Sequence, residues 1–324
     1  MLITRRQALC NSTLALSGAM LAPKLAKAET AASKPRAQNP VYRLKVGAFE
    51  VTVLNDGFFT LPSAMLATNL AEAELKEFVK ANHLATDTVR AQMNVVHVNT
   101  GDRRVLIDSG RGGSPQPTTG RLAASLQAAG IEPTAIDLVV LTHAHPDHLW
   151  GAVDTEAGTM HFPNARYVLS DMEWDFWSDP ERYGSFPERW RGMIPGTQAA
   201  FKLITDRTTR IKPGAEIVSG IGTVESRGHT PGHMSILIAS NGEQALVIGD
   251  AITNQLISFA HPDWKPSYDG DMDQAVLARR RLLDQATTDR VLLLAYHLPF
   301  PGVGNVARDG TAYRWIPEHW RWDL

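Results

Sequence analysis

Short apolar runs that end in polar or glycine-rich turns recur along the chain and predict a protein rich in β-strands. Apolar and polar side chains alternate over residues 41–46 and 49–54, which meet at Gly47 in a predicted hairpin. The same alternation over residues 93–98 and 103–107 predicts a second hairpin. In the second half of the chain, the pattern predicts strands of a second sheet at residues 216–218, 222–226, 234–238 and 244–248.

Helical periodicity is confined to segments between these strands. Thr68 or Asn69 is expected to cap the first helix, and Gly130 to end the second. Ser170 is expected to cap a short helix that carries several aromatic residues. Between the first hairpin and the first helix, Asn55-Asp56-Gly57 predicts a turn. The longer helices are predicted at residues 70–81, 121–129, 187–204 and 271–284.

One of the predicted strands leads into a dense cluster of residues that can bind metal. The apolar run from Ile136 to Leu141 predicts a short buried strand, and it is followed by Thr142-His143-Ala144-His145-Pro146-Asp147-His148. The first two histidines alternate with a spacer, so both rings can face one point. The adjacent Asp147 and His148 at the end of the loop need not point the same way, so they can face a second point. Three imidazoles and a carboxylate in six positions indicate a metal-binding loop rather than a polar loop whose histidines only form hydrogen bonds.

Further candidate ligands lie later in the chain, two of them directly after apolar strands. A turn rich in glycine and proline, Gly228-His229-Thr230-Pro231-Gly232-His233, presents a histidine. Asp250 follows the apolar run that ends at Ile248, and His297 follows the run that begins at Leu292. Because each ligand stands alone at the end of its segment, we expect these ends to converge on one site.

The composition of the chain narrows its functional class. Its 324 residues, 44% hydrophobic and 20% charged, suffice for one large globular domain. The net charge is −2 and no basic block follows the first residues, so no nucleic-acid partner is expected. The single cysteine, Cys10, lies in a segment that we expect to be removed. A metal site in the mature chain must therefore use histidine and carboxylate ligands.

Residues 1–28 are typical of an export signal. Thr4-Arg5-Arg6-Gln7-Ala8-Leu9 resembles a twin-arginine motif, an apolar stretch follows, and Ala26-Lys27-Ala28 fits a cleavage site. The alternative is a disordered N-terminus with a chance arginine pair. A spanning helix needs about 20 apolar residues, so no stable membrane anchor is expected. Residues 29–40 are predicted to form a linker and residues 41–324 the globular domain, which we expect to be periplasmic.

These motifs resemble those of the metallo-β-lactamase superfamily. H-x-H-x-D-H, G-H-T-P-G-H, G-D and a late histidine occur in the same order, and Asp108-Ser109-Gly110 matches the D-[ST]-G turn of the superfamily. The resemblance covers roughly residues 40–317 and implies an α/β (α+β) fold, a four-layer αββα sandwich. Within the superfamily, the methyl parathion hydrolase-like subgroup is most similar, on Tyr42–Leu61, Gly120–Leu122, Trp174–Trp177 and His297–Gly302.

The resemblance implies two divalent metal ions, zinc in the first instance, with manganese, iron or cobalt as alternatives. It assigns His143, His145 and His229 to one ion, Asp147, His148 and His297 to the other, and Asp250 to both. It further implies that a metal-bridging hydroxide is the nucleophile. Asp147 and Asp250 are then the candidate catalytic residues, with Asp147 also moving a proton to the leaving group. The implied substrates are small apolar lactones, aryl esters or organophosphate triesters, and a homodimer is expected.

A substrate pocket is predicted from the aromatic segment and from Thr253. The aromatic stretch from Trp174 to Trp190 either lines an apolar pocket or packs against the sandwich or a partner subunit, and both roles can hold for different rings. Trp174, Phe176 and Trp177 are its candidate pocket residues. Some acyl-homoserine lactonases of the superfamily carry a tyrosine shortly after the bridging aspartate, and residues 251–256 contain none. Thr253 or Asn254 could donate a hydrogen bond instead.

Other polar residues are expected to play supporting roles. Asp108 is predicted to orient a ligand-bearing loop, His233 to form hydrogen bonds within its turn, and Asp56 to be a turn residue. Alternative functions on the same fold are an acyl-homoserine lactonase, a β-lactamase, a thioesterase or a catalytically silent binding protein. The remaining histidines lack a motif and are treated as ordinary: His83, His97, His161, His261 and His319.

Overall fold

Two seven-stranded sheets lie face to face in the computed structural model, which describes residues 40–113, 116–185 and 188–320. The predicted export signal, Cys10 and nearly all of the predicted linker lie outside these residues. The strands are β1 (Val41–Val46), β2 (Phe49–Pro62), β3 (Thr88–Asn99), β4 (Arg104–Ile107), β5 (Leu138–Val140), β6 (Val153–Asp154), β7 (Thr159–Met160), β8 (Arg166–Ser170), β9 (Thr208–Ile211), β10 (Glu216–Val218), β11 (Ile221–Glu225), β12 (Met234–Ser240), β13 (Glu243–Val247), β14 (Leu292–Leu294), β15 (Val303–Asp309) and β16 (Ala312–Pro317).

The first sheet has the order β1-β2-β3-β4-β5-β8-β9, and the second runs from β10 to β16 in chain order. Strands β6 and β7 form a separate two-stranded ribbon. The helices are α1 (Glu72–Ala81), α2 (Leu122–Ala129), α3 (Pro146–Leu149), α4 (Asp171–Ser178), α5 (Glu188–Arg191), α6 (Ile194–Ile204), α7 (Ile257–Ala260) and α8 (Met272–Thr288). Within the described part of the chain, no helix has both the length and the apolar character needed to cross a membrane.

Apolar side chains fill the space between the layers. The inward faces of the two sheets meet through residues such as Val96, Ile107 and Val247. Helices α2, α4 and α6 cover the outer face of the first sheet, and α8 covers the second through Leu282 and Leu283. Each sheet is thus buried on one face by its partner sheet and on the other by helices, which confirms the predicted αββα sandwich.

Parallel strand pairs bring the candidate ligands to one edge of the sandwich. Strands β4, β5 and β8 are parallel neighbours in the first sheet, and β13 and β14 are parallel neighbours in the second. Asp108 follows β4, the histidine-rich loop follows β5, Asp250 follows β13 and His297 follows β14. Because parallel strands end at the same edge, these four connections meet there.

Several local predictions were wrong. Asn55-Asp56-Gly57 lies within β2 at a change of register opposite β3, and it is not a turn. Neither Thr68 nor Asn69 caps α1, because both bond to the segment around Lys265. Ser170 does occupy the N-cap position of α4, but its side chain forms no capping hydrogen bond. The predicted hairpins and the end of α2 at Gly130, in the left-handed conformation at φ 70°, are confirmed.

Candidate metal centre

Three imidazole rings form the first ligand cluster, His143, His145 and His229. Nε2 of His143 lies 3.0 Å from Nδ1 of His145, which lies 2.9 Å from Nε2 of His229. The second ligand cluster is Asp147, His148 and His297. Oδ2 of Asp147 lies 3.5 Å from Nε2 of His148 and 3.4 Å from Nε2 of His297. In each cluster, one potential ligand atom per residue lies within 4.8 Å of the others.

Asp250 stands between the two clusters. Its Oδ1 lies 3.2 Å from Nε2 of His148, and its Oδ2 lies 3.2 Å from Nε2 of His229 and 3.1 Å from Nε2 of His297. The carboxylate therefore has atoms directed at both clusters. This is the position that a bridging ligand requires, and all seven residues of the sequence-derived ligand set are brought together.

Nδ1 of three ligand rings points away from the centre, and its contacts determine which ring nitrogen carries a hydrogen. Nδ1 of His148 contacts Asp108, Nδ1 of His229 contacts Asp269, and Nδ1 of His297 contacts the carbonyl oxygen of Gln92, at 2.7–2.9 Å. These partners accept hydrogen bonds, so each Nδ1 carries a hydrogen, and Nε2 is the nitrogen of each ring that would bind a metal ion at the centre.

Two of the buried atoms that face the centre are short of hydrogen-bond partners. Nε2 of His148 and Oδ1 of Asp250 are buried atoms for which the described residues provide no hydrogen bond. Histidine nitrogen and carboxylate oxygen are the ligands that zinc and similar divalent ions prefer. The two clusters therefore fit two divalent metal ions on the chemistry of their own atoms.

Burial and neighbouring charges shift the pKa values of the ligand residues in different directions. Burial lowers the pKa of His143 and of His145 well below the usual value. Both rings are therefore neutral, the form of imidazole that binds metal ions. Burial also opposes ionisation of Asp250, yet the neighbouring His297, His148 and His229 hold the pKa of its carboxyl well below the usual range. The bridge is therefore a charged carboxylate. Although burial opposes it, this carboxylate raises the pKa of His148 and of His297, so a divalent ion bound at these two rings would displace a proton.

Asp108 and His233 hold the ligand loops from outside. Asp108 accepts hydrogen bonds from the backbone N–H and hydroxyl of Thr142 and contacts His148. The backbone N–H of His233 bonds within its turn, to Thr230, but the side chain reaches beyond the turn: its Nδ1 contacts Ser226 and its Nε2 accepts the backbone N–H of Asp250 at 2.9 Å. Burial lowers the pKa of His233 to about 3, which keeps this acceptor neutral. His233 thus positions the bridging aspartate.

Sequence reasoning missed Glu173, which is fully buried on α4. Its Oε1 accepts the backbone N–H of Ala144 at 3.0 Å and the indole N–H of Trp177 at 2.7 Å, and its Oε2 accepts the backbone N–H of Gly232 at 2.9 Å. Glu173 joins the loop of the first two histidines to the loop of His229. Burial raises the pKa of its carboxyl.

A buried ion pair behind His229 was missed as well. Asp269 contacts His229 through Oδ1 and accepts a hydrogen bond from Arg279 through Oδ2 at 3.1 Å. Arg279 is 2% exposed and also donates to the carbonyl oxygens of Ala251, Pro262 and Trp264. No local motif surrounds either residue, so only the tertiary structure identifies them.

A cavity of about 260 Å³ opens onto the metal centre. Its floor includes Asp147, Asp250 and His297, and one wall is apolar. The apolar side chains are Phe59, Leu61, Met65, Leu66, Val89, Trp190 and Met193. Arg111, Gln116, Thr253, Asn254 and Tyr268 add polar groups. Such a cavity suits a small substrate with an apolar portion.

The predicted aromatic lining differs from the observed one. Trp174, Phe176 and Trp177 do not line this cavity. Trp174 stacks on Phe201, and Trp177 is fully buried beneath His145. These three side chains pack against the first sheet because α4 turns its apolar face inward, whereas Trp190, at the end of the same aromatic stretch, lines the cavity. Thr253 lines the cavity.

Buried paired carboxylates, clustered imidazoles and an αββα sandwich define a class of metal-dependent hydrolases. The profile of the metallo-beta-lactamase superfamily matches residues 89–297, and the chain belongs to that superfamily.

Solved structures and relatives agree with this placement. The chain is 32% identical to AidC, a dizinc quorum-quenching lactonase solved with its product. The match covers 87% of this chain and 99% of AidC, with a TM-score of 0.82. It is also 29% identical to the hydrolase AbOPH, with a TM-score of 0.81; the match covers 88% of this chain and 100% of AbOPH. The N-acyl homoserine lactonase AttM of Azorhizobium caulinodans is 28% identical over 142 residues, 40% of this chain and 47% of AttM. The chain spans about half the length of the curated relatives it matches.

Proposed function

We propose that this protein is a di-metal hydrolase that opens lactones and also cleaves small apolar aryl esters and organophosphate triesters. The observation that carries the proposal is the position of the two ligand clusters, which meet at Asp250 on the floor of a cavity with an apolar wall. The lactonases AidC and AttM among the similar proteins support lactones as the first class to test.

The chain would hold one ion with the first ligand cluster and one with the second, and Asp250 would contact both. When bound, two such ions supply Lewis-acid activation of water and of the electrophilic C=O or P=O group. The residues around them do the remaining work. Asp108, Asp269 and the carbonyl of Gln92 hold the imidazoles in the tautomer that presents a lone pair inward.

Asp147 is the proposed proton carrier. It is 7% exposed and lines the cavity, so its carboxylate is accessible to a leaving group there. The hydroxyl of Tyr296 donates a hydrogen bond to the backbone carbonyl of Asp147 at 2.5 Å, which fixes the start of α3. A carboxylate held in this way can receive a proton and pass it to the departing oxygen without large motion.

The apolar wall explains why one site would accept several substrate classes. Phe59 and Leu61 project from β2 and contribute one side of it. An acyl chain or an aryl group buried there gains roughly 25 cal/mol per Å² of apolar surface, without a demand for one particular shape. The methyl parathion hydrolase-like subgroup remains our prediction for the closest lineage.

The test uses purified protein, stripped with a chelator and then titrated with zinc. We expect turnover of an N-acyl homoserine lactone, a p-nitrophenyl ester and a dialkyl aryl phosphate to rise together and to level off near two equivalents. Elemental analysis should give about two ions per chain. A fully active preparation with one ion or none would contradict the di-metal mechanism, and a metal-loaded protein inert toward all three would contradict the proposed function.

A further inference from the structure

An arginine borders the apolar wall of the cavity. Arg111 lines the cavity, and its guanidinium carbon lies 5.7 Å from the centre of the Phe59 ring, which lines it as well. A guanidinium at this distance from a phenyl ring is held by a cation–π contact. The same ring meets His297 edge-on, with the two ring centres 5.5 Å apart. One phenyl ring thus connects the positive charge of Arg111 to a residue of the second ligand cluster.

The backbone around Arg111 is held in one conformation. Buried Asp56 accepts the backbone N–H of Arg111 at 2.8 Å. The residues on either side, Gly110 and Gly112, have φ of 71° and 62°, in the left-handed region that favours glycine. A Cβ on Gly110 would lie 2.6 Å from the carboxyl carbon of Asp56, so the loop approaches too closely for a larger residue there. The side chain of Arg111 therefore starts from a fixed point.

The charges that line the cavity are unevenly distributed. Among the described residues that line it, the acidic ones are Asp147 and Asp250, and both belong to the metal centre. The arginines are Arg90 and Arg111, and the guanidinium of Arg90 lies over Phe58, a ring that does not line the cavity. Divalent ions at the ligand clusters would add further positive charge. A cleft with this charge and with apolar walls attracts anions.

The position of the loop relates Arg111 to the leaving group. The carbonyl of Gly110, the residue before Arg111, accepts the backbone N–H of Gly151 at 3.0 Å. Gly151 lies just after α3, the helix that carries Asp147. Under the proposed function, Asp147 passes a proton to the departing oxygen. Arg111 therefore lies on the side of the cavity that would hold the leaving group.

We infer that Arg111 binds an anionic group on the leaving portion of the substrate, so that aryl esters with a carboxylate on the leaving group are preferred. The inference rests on the proposed function and narrows its substrate class. An aryl group along Phe59, with its ester at the metal centre, would bring a substituent at its far end toward the guanidinium. A guanidinium has five N–H donors, so it can bind a carboxylate through two of them while the others keep contacts with the protein.

The experiment compares two esters that differ in one group, 4-carboxyphenyl acetate and 4-carbamoylphenyl acetate. The amide has nearly the shape of the carboxylate and no charge. The zinc-loaded proteins are wild type, Arg111→Gln and Arg111→Lys. We expect kcat/KM for the carboxylate ester to fall about 10- to 100-fold in Arg111→Gln, mainly through KM, while the amide ester changes by less than about 3-fold. Arg111→Lys should lose part of the preference, because lysine keeps the charge but not the planar pair of donors.

Arg308→Gln is the matched control. The guanidinium of Arg308 also lies over an aromatic ring, that of Tyr313 at 4.8 Å, but neither residue lines the cavity. The substitution changes the net charge by the same amount as Arg111→Gln. The carboxylate-to-amide ratio of kcat/KM should therefore stay at the wild-type value in this variant.

A binding measurement gives a readout apart from turnover. Calorimetric titration with the leaving group itself, 4-hydroxybenzoate, should show binding to Arg111→Gln about 10-fold or more weaker than to wild type, whereas 4-hydroxybenzamide should bind both proteins equally. Metal content and thermal stability are measured for every variant, and Arg111→Lys decides if Arg111→Gln does not fold.

Two results would contradict the inference. One is a carboxylate-to-amide ratio that stays at the wild-type value in Arg111→Gln, and the other is a ratio that falls equally in Arg308→Gln, which would indicate a general effect of charge. Wild type inert toward both esters contradicts the aryl-ester part of the proposed function instead, and the binding of 4-hydroxybenzoate then decides the inference.

Discussion

The two ligand clusters are held in place by different means. In the first cluster, the ring of His229 is supported by a buried ion pair of Asp269 and Arg279, two residues that come from outside the ligand loops. Nε2 of His145 has no hydrogen-bond partner among the described residues, and the ring lies edge-on to Trp190 at 4.7 Å. The first cluster thus depends on packing and on contacts from residues distant in sequence, the Asp269–Arg279 pair and Glu173.

The second cluster is supported by residues close to the strand ends. Asp108, directly after β4, contacts His148, and the ring of Tyr296 stacks on His148 at 4.0 Å. The backbone carbonyl of Gln92 in β3 contacts His297. These supports belong to the sheets themselves, so the second cluster is fixed by the fold. The first cluster should therefore be the easier one to disturb from a distance.

The largest effect is expected from Asp250→Ala, because Asp250 contacts both clusters and its loss should disturb them both. Its removal leaves the charges of two ions less compensated. We expect loss of at least one metal ion and a fall in turnover of at least ~100-fold. Metal content and kcat are the measurements. A variant that keeps both ions and the wild-type kcat would show that Asp250 is not a shared ligand.

Arg279→Met should affect the first cluster alone. It leaves Asp269 buried without its cationic partner, so the contact with His229 is weakened. We expect one of the two metal ions to bind 10- to 100-fold more weakly, on the order of other losses behind metal ligands, while the second is retained. A competition titration against a chromophoric chelator resolves the two steps.

The adjacent Arg280 provides a matched control for that experiment. It lies on the same helix and pairs with Asp263 at the surface, away from the ligands. Arg280→Met should leave both binding steps unchanged, since an exposed ion pair contributes little. If Arg279→Met weakens both steps equally, the clusters are not independently supported and the comparison above is wrong.

The sequence could identify the ligand loops because their residues are local and follow apolar strands. His143 and Asp250 each stand where a strand ends, and the parallel strands bring those ends together. Glu173 and Arg279 could not be found in the same way. Each is one polar residue on an ordinary helix, and its role depends on contacts with segments distant in sequence.

Local propensity also misled at two positions. Asn55-Asp56-Gly57 has turn-forming residues, yet long-range hydrogen bonds hold it as an irregularity inside β2. Trp177 belongs to an aromatic segment that suits a pocket and a core equally well. Only burial distinguishes these two roles, and burial is decided by which face of α4 meets the first sheet.

Trp177→Ala tests that distinction with a smaller effect on turnover. The side chain is fully buried, so truncation should lower the free energy of unfolding by about 3–5 kcal/mol. KM for aryl substrates should stay at the wild-type value, because Trp177 does not line the cavity. Trp177→Phe, which keeps most of the volume, is the control. A raised KM with unchanged stability would restore the pocket role that the sequence predicted.

The smallest effect on catalysis is expected at Asp56, which lies away from both clusters. Its buried carboxyl accepts backbone N–H groups of Arg111, Gly120 and Leu122, so it holds the loop that carries Arg111. Burial raises the pKa of Asp56 from 3.8 to about 6, although these backbone donors oppose the shift. The folded protein therefore binds this proton more tightly than the unfolded chain does.

The sign of the pH dependence follows from that difference. The stabilisation from protonated Asp56 is complete below pH 3.8 and is lost as the pH rises through about 6. Two pKa units correspond to about 3 kcal/mol, so the stability of wild type relative to Asp56→Asn should fall by up to that amount between pH 4 and pH 7. Denaturant unfolding at several pH values measures it, with the difference between the two proteins cancelling the titration of other groups. A difference that is flat, or that grows with pH, would mean that the backbone donors outweigh burial and that Asp56 is ionised in the folded protein throughout.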